Sequence, residues 1–539
     1  MKLIYQAEQV RAAERATGEE LTSGRLMQRA AAALAREVTA ELADRGRRVR
    51  GARILLVAGP GDNGGDGLFA AADLVQHGAQ VWVWATNQQV HPAGWATLLA
   101  AGGRPVGADD ALALVAQVDL VLDAVFGIGA RPGLPPAVAT LAEACAKRDL
   151  AVVSADLPSG LAADSGLTEG VSFRATRTVS FGAWKPCQIF HPARDQCGAR
   201  RLIDIGLDLP NNVSVDRLTR ENSTTSAAAA QSPMSVPSMG SDPRAGLQQP
   251  ESANATQPSM PVPPAAVEFE LRDLAAAWPW PEVMSDKYAR GVAALDTGSA
   301  AYPGAAVLGV LGAIHTGAGF VRYAGPARSE VLAAAPNVVC TPAVGEADEV
   351  EAIAAVRADA WLVGSGWGDR PEAPQRLEAV LAHSRPTVID ADAIGWFRHR
   401  LVDRPEVEAP VLLTPHAGEL ARLLDVRRES VLADPVAAVR TASRRTGATV
   451  LLKGATQYIA APDQAPVYVC FPGPAWTAQA GSGDVLAGIA VALLATGLPP
   501  LLAAGLAGSI QALTAVRHPG PYPPQALVRF LPEVIASLR

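Results

Sequence analysis

The chain has 539 residues, 49% of them hydrophobic and 18% charged, enough apolar material for at least two cores. A formal net charge of −7 excludes a protein that grips nucleic acid through a broad basic face. It leaves room for a small phosphate ligand, which backbone amides alone can hold. Cys145, Cys187, Cys197, Cys340 and Cys470 stand far apart with no Cys-x-x-Cys pair. That spacing argues against a disulfide framework or a cysteine zinc site, and a reducing, cytoplasmic setting is expected. Met1 to Glu8 lack the apolar run of a secretory signal.

In chain order, Leu26, Ala30, Ala33 and Leu34 recur at helical spacing, so an early helix is expected. Strands follow at 53–58, 80–84, 118–123 and 150–155, with a helix over 68–77 between the first two. Continuous apolar strands joined by helices predict a parallel sheet covered on both faces. The tract 222–264 is rich in Ser, Ala, Pro and Gln, has no aromatic residue, and carries only Asp242, Arg244 and Glu251 as charges. It cannot bury enough apolar surface to offset its ordering entropy. We place a flexible linker at 216–270, with a reach of about 35 Å, between an N-terminal unit 1–215 and a C-terminal unit 271–539. The linker also argues against a fixed tunnel between the two.

The C-terminal unit repeats the α/β pattern, with strands at 360–363, 387–389, 411–413 and 449–452. An apolar stretch from Gly304 to Phe320, with glycines at 309, 312, 317 and 319, predicts a buried helix packed closely on its neighbours and ending near Gly317. Asp484 to Val516 is very apolar but broken by Gly497 and Pro499-Pro500. It is expected to form two buried helices and no membrane span. Trp278, Trp280, Trp361 and Trp476 are expected to serve packing.

Chemistry concentrates where apolar strands end in Gly- and Asp-bearing loops, the edge on which open α/β sheets bind ligands. The first such loop is Gly59-Pro60-Gly61-Asp62-Asn63-Gly64-Gly65-Asp66-Gly67. Its glycines let backbone approach a ligand. Its acids would repel phosphate, so they imply a bound cation, substrate hydroxyls or both. Asp123 opens a turn running through Phe126-Gly127-Ile128-Gly129-Ala130-Arg131-Pro132-Gly133, and Asp156 opens Asp156-Leu157-Pro158-Ser159-Gly160. Gly481-Ser482-Gly483-Asp484 opens the first late helix. Its amides can form an anion hole, with Asp484 placed as a base for a hydroxyl proton. The plain alternative for each is turn or helix-end chemistry.

The ordered set Gly-Pro-Gly-x-Asn-Gly-Gly-Asp-Gly, Asp-x-x-Phe-Gly-x-Gly and Asp-x-Pro-Ser-Gly resembles the NAD(P)H-hydrate epimerase family. Leu26-Met27-Gln28-Arg29-Ala30 and Phe181-Gly182-Ala183-Trp184-Lys185-Pro186 fit it too. The resemblance implies a Rossmann-like α/β/α sandwich that interconverts the R and S hydrates. It implies Asp156 as the acid–base group, the turns Asp62 to Asp66 and Gly127 to Gly133 on the dinucleotide, and Asn63, Asp123 and Ser159 on a potassium ion. Asp62 stands where that family usually has Asn.

Residues 271–539 resemble the ADP-dependent NAD(P)H-hydrate dehydratases, a ribokinase-like α/β/α sandwich. The marks are Lys287-Tyr288-Ala289-Arg290-Gly291, Gly298-Ser299-x-x-Tyr302-Pro303-Gly304-Ala305, Gly364-Ser365-Gly366, Asp390-Ala391-Asp392, Thr414-Pro415-His416-Ala417-Gly418-Glu419, Lys453-Gly454-Ala455-Thr456 and the Gly483-Asp484 loop. This resemblance implies Asp484 as catalytic base. It places Ala305, Gly366 and His416 on the hydrate, and Lys453, Gly454, Ala455, Thr456, Gln457 and Gly483 on ADP, which arrives with Mg2+. Whether Asp390 and Asp392 meet that ion or finish a turn stays open. The substrates implied are NADHX, NADPHX and ADP, with a homo-oligomer expected. The rival is a ribokinase-like small-molecule kinase fused to a Rossmann-like nucleotide-binding or scaffolding module.

Overall fold

A computed structural model describes residues 1–129, 131–211, 213–214, 218, 263–341, 353, 356–403, 408–462 and 466–539. Most of the linker tract, and Ala130 of the second turn, lie outside the described residues.

The N-terminal half forms a seven-stranded sheet. Its strands are β2 (Arg53–Ala58), β3 (Gln80–Ala85), β4 (Arg104–Pro105), β5 (Leu120–Ala124), β6 (Ala151–Ala155), β7 (Arg177–Phe181) and β8 (Ala199–Ile203), in spatial order β4-β3-β2-β5-β6-β7-β8. Every pairing is parallel, as the apolar strands predict. The helix Arg25–Asp44 carries Leu26, Ala30, Ala33 and Leu34 on its buried face. The chain leaves β2 in one direction and β5 in the other, so the strand order reverses there. The first site sits over that switch point.

The second sheet has eleven strands in the order β1-β9-β18-β17-β16-β15-β14-β13-β10-β11-β12. They are β1 (Lys2–Ile4), β9 (Ala266–Glu268), β10 (Val292–Asp296), β11 (Phe320–Tyr323), β12 (Val339–Cys340), β13 (Ala360–Val363), β14 (Thr387–Ile389), β15 (Val411–Leu413), β16 (Thr449–Leu452), β17 (Tyr458–Ala460) and β18 (Val467–Val469). From β12 to β16 the pairing is parallel, and β17 and β18 return antiparallel.

Two adjacent helices form the core of this half. The helix Pro303–Thr316 ends at Gly317 in the left-handed region, φ 97°, where glycine is the cheapest cap. It packs on Ser482–Ala495 almost backbone to backbone. A Cβ on Gly488 would lie 2.0 Å from the Gly309 carbonyl oxygen, and one on Gly312 would lie 2.5 Å from that of Val485. Ser482–Ala495 and Pro500–Arg517 are the two expected apolar helices, and both are buried. Among the described residues, no helix is long and apolar enough to cross a membrane.

Three expectations need correction. The glycine-rich stretch is not a loop preceding a helix at 68, because the helix Asp62–Gln76 already includes it, with Gly61 at φ 91° as its cap. The linker ends earlier than 270: Val267 and Phe269 are fully buried, and β9 is built there. The chain opens on a strand ahead of the expected early helix, and that strand belongs to the second sheet. Lys2, Leu3 and Ile4 pair antiparallel with Glu268, Val267 and Ala266. The two halves therefore touch directly as well as through the linker. Arg194 reaches the buried Glu268 at 3.0 Å, and Lys2 pairs with the same carboxylate. Phe190 meets Tyr458 edge to face at 5.1 Å. A short apolar β1 carries no signal of which sheet it will join.

Candidate functional site

The first site is a cleft of about 690 Å³ at the carboxyl ends of β2, β5 and β6, roofed by the helix Ala7–Ala16, within the size range of small-ligand pockets. It brings together Asp62, Asn63, Asp66, Gly127, Ile128, Gly129, Arg131 and Asp156. Gly64 and Gly65 are not among its walls. A Cβ on Gly64 would sit 2.1 Å from the Gly59 carbonyl oxygen, and one on Gly65 would press on Met27 and His91. Packing by itself requires glycine at both positions. Gly133 donates its N–H to the Gly160 carbonyl at 2.8 Å, tying two loops behind the cleft. Pro132 does not line it either.

Beneath the cleft, Asp123 is fully buried. Ser154 Oγ and Ser159 N–H donate to its Oδ2 at 2.8 and 2.9 Å. Burial pushes its carboxyl up to about 6, against those hydrogen bonds. Ser159 Oγ donates to the Phe126 carbonyl at 3.2 Å and accepts from its N–H at 2.9 Å. Asn63 stands against the next residue, Gly127. Both polar atoms of its side-chain amide are buried without a partner, an arrangement that costs stability unless something fills it. Asn63, Asp123 and Ser159 therefore cluster around the 125–127 backbone. Their donors are all oxygens bearing one charge, which suits a hard monovalent cation.

Asp156 is buried at the cleft floor, and Lys185 makes an ion pair with its Oδ1. Asp66 also has a buried, unpartnered oxygen. Burial first, then the charges of Asp156, Asp62 and Glu14, raise its carboxyl well above the ordinary range. Glu14 is raised for the same reasons. Sequence reasoning missed Lys185, Glu14 and Arg11 as site residues. Lys185 lay in plain view as the one cation in Phe181 to Pro186. Glu14 and Arg11 arrive from a distant helix and left no local signal.

The second site lies at the carboxyl ends of β10, β13, β14, β15 and β16. Gly481, at φ 90°, caps Ser482–Ala495, and the first amide of that helix, Ser482 N–H, donates to the Gln479 carbonyl at 3.2 Å. A Cβ on Gly483 would meet Lys453 Nζ at 3.2 Å. That ammonium donates to Asp390 Oδ1 at 2.8 Å, where Thr414 Oγ1 also donates at 2.7 Å. Ser365 Oγ donates to Asp390 Oδ2 at 2.8 Å. Asp390 thus accepts three hydrogen bonds from protein groups, and Asp392 accepts from Gly368 N–H at 2.7 Å.

Burial lowers the Lys453 ammonium, but Asp390, Glu419 and Asp484 outweigh it and hold it above its ordinary value. Burial and the Asp390 charge push Asp484 up to about 7, against the pull of Lys453. A carboxyl near 7 is matched to proton transfer at physiological pH.

Gly366, at φ 67°, faces Ala305, whose Cβ would lie 2.6 Å from a Cβ at 366. His416 caps Ala417–Leu424 by accepting from Gly418 and Glu419 N–H at 2.9 and 3.2 Å, and its ring stays exposed. Pro415, beside it, accepts from Lys453 N–H at 2.8 Å. Gly454 and Ala455 follow Lys453 at the open edge. The side chains of the next two residues have other surroundings. Thr456 Oγ1 accepts from His191 N–H of the N-terminal half at 2.9 Å, and the Gln457 side-chain oxygen is buried beside Gly508. Trp278 and Trp361 are buried as expected, whereas Trp476 stands half exposed just before the loop. Sequence reasoning also missed Asp296, clamped beneath this edge by Arg370 at 3.2 Å and Arg376 at 2.6 Å.

Residues 23–187 match the family model described as YjeF-related protein N-terminus, and residues 294–523 match NAD(P)H-hydrate dehydratase. A bifunctional NAD(P)H-hydrate repair enzyme Nnr of Mycobacterium tuberculosis is 36% identical over 504 residues, covering 93% of this chain and 90% of that protein. The protein of that name from Mycobacterium leprae is 37% identical over 529 residues, covering 97% and 96%. Among solved structures, an ADP/ATP-dependent NAD(P)H-hydrate dehydratase from Bacillus subtilis, co-crystallised with ATP/Mg2+, aligns with 51% of this chain and 99% of its own. Its TM-score is 0.46 and its identity 23%.

Proposed function

The chain belongs to the bifunctional NAD(P)H-hydrate repair enzymes, and from that premise we propose how its two sites divide the work. The N-terminal cleft epimerises the R and S hydrates of NADH and NADPH. The C-terminal edge dehydrates the S hydrate at the expense of ADP. The observation that carries the reading is the placing of two carboxyl groups: Asp156 lines the N-terminal cleft at a strand end, and Asp484 stands in the first turn of the helix Ser482–Ala495.

In the first site Asp156 takes the hydroxyl proton of the carbinolamine. The C–N bond of the ring then opens as the oxygen becomes a carbonyl, and reclosure on the opposite face returns the proton from Asp156 to the oxygen, so no atom is gained or lost. Asp62, Asp66, Gly127, Gly129 and Arg131 border the bound dinucleotide. Asn63, Asp123 and Ser159 would hold a potassium ion, a reading supported by the orphaned Asn63 amide. When bound, such an ion would supply fixed positive charge to an anionic ligand.

In the second site Asp484 accepts the hydroxyl proton while the hydroxyl oxygen attacks the terminal phosphorus of ADP. AMP leaves, and the phosphorylated hydrate then loses phosphate together with the proton of the adjacent ring carbon, which restores the ring double bond of the dihydronicotinamide. The amides at 481–483 face the moving phosphoryl group, where positioning and electrostatics do most of the work. Lys453, Gly454 and Ala455 border the nucleotide, and Ala305, Gly366 and His416 border the hydrate. The acids that raise Asp484 suit the Mg2+ that accompanies ADP.

Separated R and S hydrates, each given ADP or ATP, test this by recovery of dihydronicotinamide absorbance. Asp156→Asn should slow R to its spontaneous epimerisation and leave S unaffected. Asp484→Asn should stop both. Unchanged turnover in either variant rejects that site, and a lasting phosphorylated product would indicate a simple kinase instead.

A further inference from the structure

Asp156 adopts a left-handed backbone, φ 63°, a conformation that costs a non-glycine residue about 1–3 kcal/mol and persists only where its surroundings enforce it. Its N–H donates to the Val179 carbonyl at 2.8 Å, and its carbonyl accepts from Gln188 Nε2 at 2.6 Å. Its side chain is fixed by Lys185, which is only 1% exposed. The Lys185 ammonium donates to Asp156 Oδ1, to Ser180 Oγ at 3.1 Å and to the Phe181 carbonyl at 3.0 Å. All three donors of the ammonium are thereby used, and its direction is set. Gln188 anchors the same segment from the other side, since its Oε1 accepts from Lys185 N–H at 2.9 Å.

Among the described residues no hydrogen bond or ion pair reaches Asp156 Oδ2, while Oδ1 takes both the ammonium and a long 3.5 Å approach from Phe181 N–H. The other charged groups lining this cleft are Glu14, Arg11 and Arg15 from the helix Ala7–Ala16, Asp62 and Asp66 from Asp62–Gln76, and Arg131. Burying an ammonium this deeply is costly unless it is fully paired, and a fold-only role could be met by apolar packing.

We propose that Lys185 is a positioning residue of the epimerase, its ammonium clamping Asp156 Oδ1 so that Oδ2 alone is presented to the substrate hydroxyl. The inference rests on Asp156 being the acid–base group.

The test is steady-state epimerisation of the R hydrate by Lys185→Met, Lys185→Ala and Lys185→Arg beside Asp156→Asn, with circular dichroism to confirm folding. Loss of the clamp should lower kcat by about 100-fold, the scale of a misplaced reacting group, with KM changed less than about threefold. Because Lys185 borders the cleft, n-propylammonium should restore at least about tenfold of the Lys185→Ala rate by supplying the missing charge, whereas n-butanol should not. A folded Lys185→Met with wild-type kcat, or equal rescue by the alcohol, overturns the proposal. If the Met and Ala variants do not fold, Lys185→Arg decides, because it keeps the charge but moves it. A fall in kcat of about fivefold or more is expected, and an unchanged kcat overturns the proposal. If Asp156→Asn itself turns over the R hydrate normally, the parent reading fails instead.

Discussion

Asp484→Asn should stabilise the C-terminal half, and more so as pH rises. The folded chain holds this carboxyl at about 7 against an ordinary 3.8. An acid raised on folding imposes no cost below its unfolded value. The cost grows as pH climbs from 3.8 and levels off above about 7. At 1.36 kcal/mol per unit, the cost is about 1.6 kcal/mol at pH 5 and at most about 4 kcal/mol at pH 8.5. Asparagine removes the titration, so the stability difference between variant and parent should widen by about 2 to 3 kcal/mol over that range. For a unit of this size that is about 5–10 °C in melting temperature. Nucleotide-free melts of both proteins at pH 5 and 8.5 read the effect, and comparing the two differences cancels any fixed effect of the amide. A difference that stays constant with pH would show that Asp484 is not a strained acid and would remove the basis for its role as base.

The dehydration rate itself should rise through about pH 7 and flatten above it, as Asp484 loses its proton; a flat profile from pH 5.5 to 8 would count against it. Gly488→Ala should cost about 3 kcal/mol or more, because its Cβ would lie 2.0 Å from the Gly309 carbonyl oxygen. Loss of soluble protein or a sharply lower melt checks this. Asn63→Ala should abolish any gain in epimerase rate on replacing lithium by potassium, and an undiminished gain would displace the ion from this site. Leu3→Pro should break the register with Val267, measurable as faster proteolysis near residue 266; an unchanged cleavage pattern would refute the role of that pairing.

The strand-end chemistry was legible because parallel-strand cores leave continuous apolar runs, and the acids follow them directly. The strands at 360–363, 387–389, 411–413 and 449–452 have the expected bounds. What escaped is what distance in sequence conceals. Glu14 and Arg11 enter the first cleft from a helix some fifty residues ahead of the glycine-rich turn. Asp296 depends on Arg370 and Arg376 for its pairing. Gly64 and Gly65 were ambiguous in sequence for a different reason. A glycine demanded by a neighbouring carbonyl or thioether looks, in sequence, the same as one demanded by a ligand.

Because β1 completes a sheet whose adjoining strand, β9, begins 262 residues beyond its own end, synthesis delivers the edge piece long before its slot exists. Until the second half emerges, that piece has nothing to pair with, and closing so long a chain segment carries an entropic cost. Dividing the fusion into two separate proteins would leave an exposed edge on β9 and a stray strand on the other product, both open to unintended pairing.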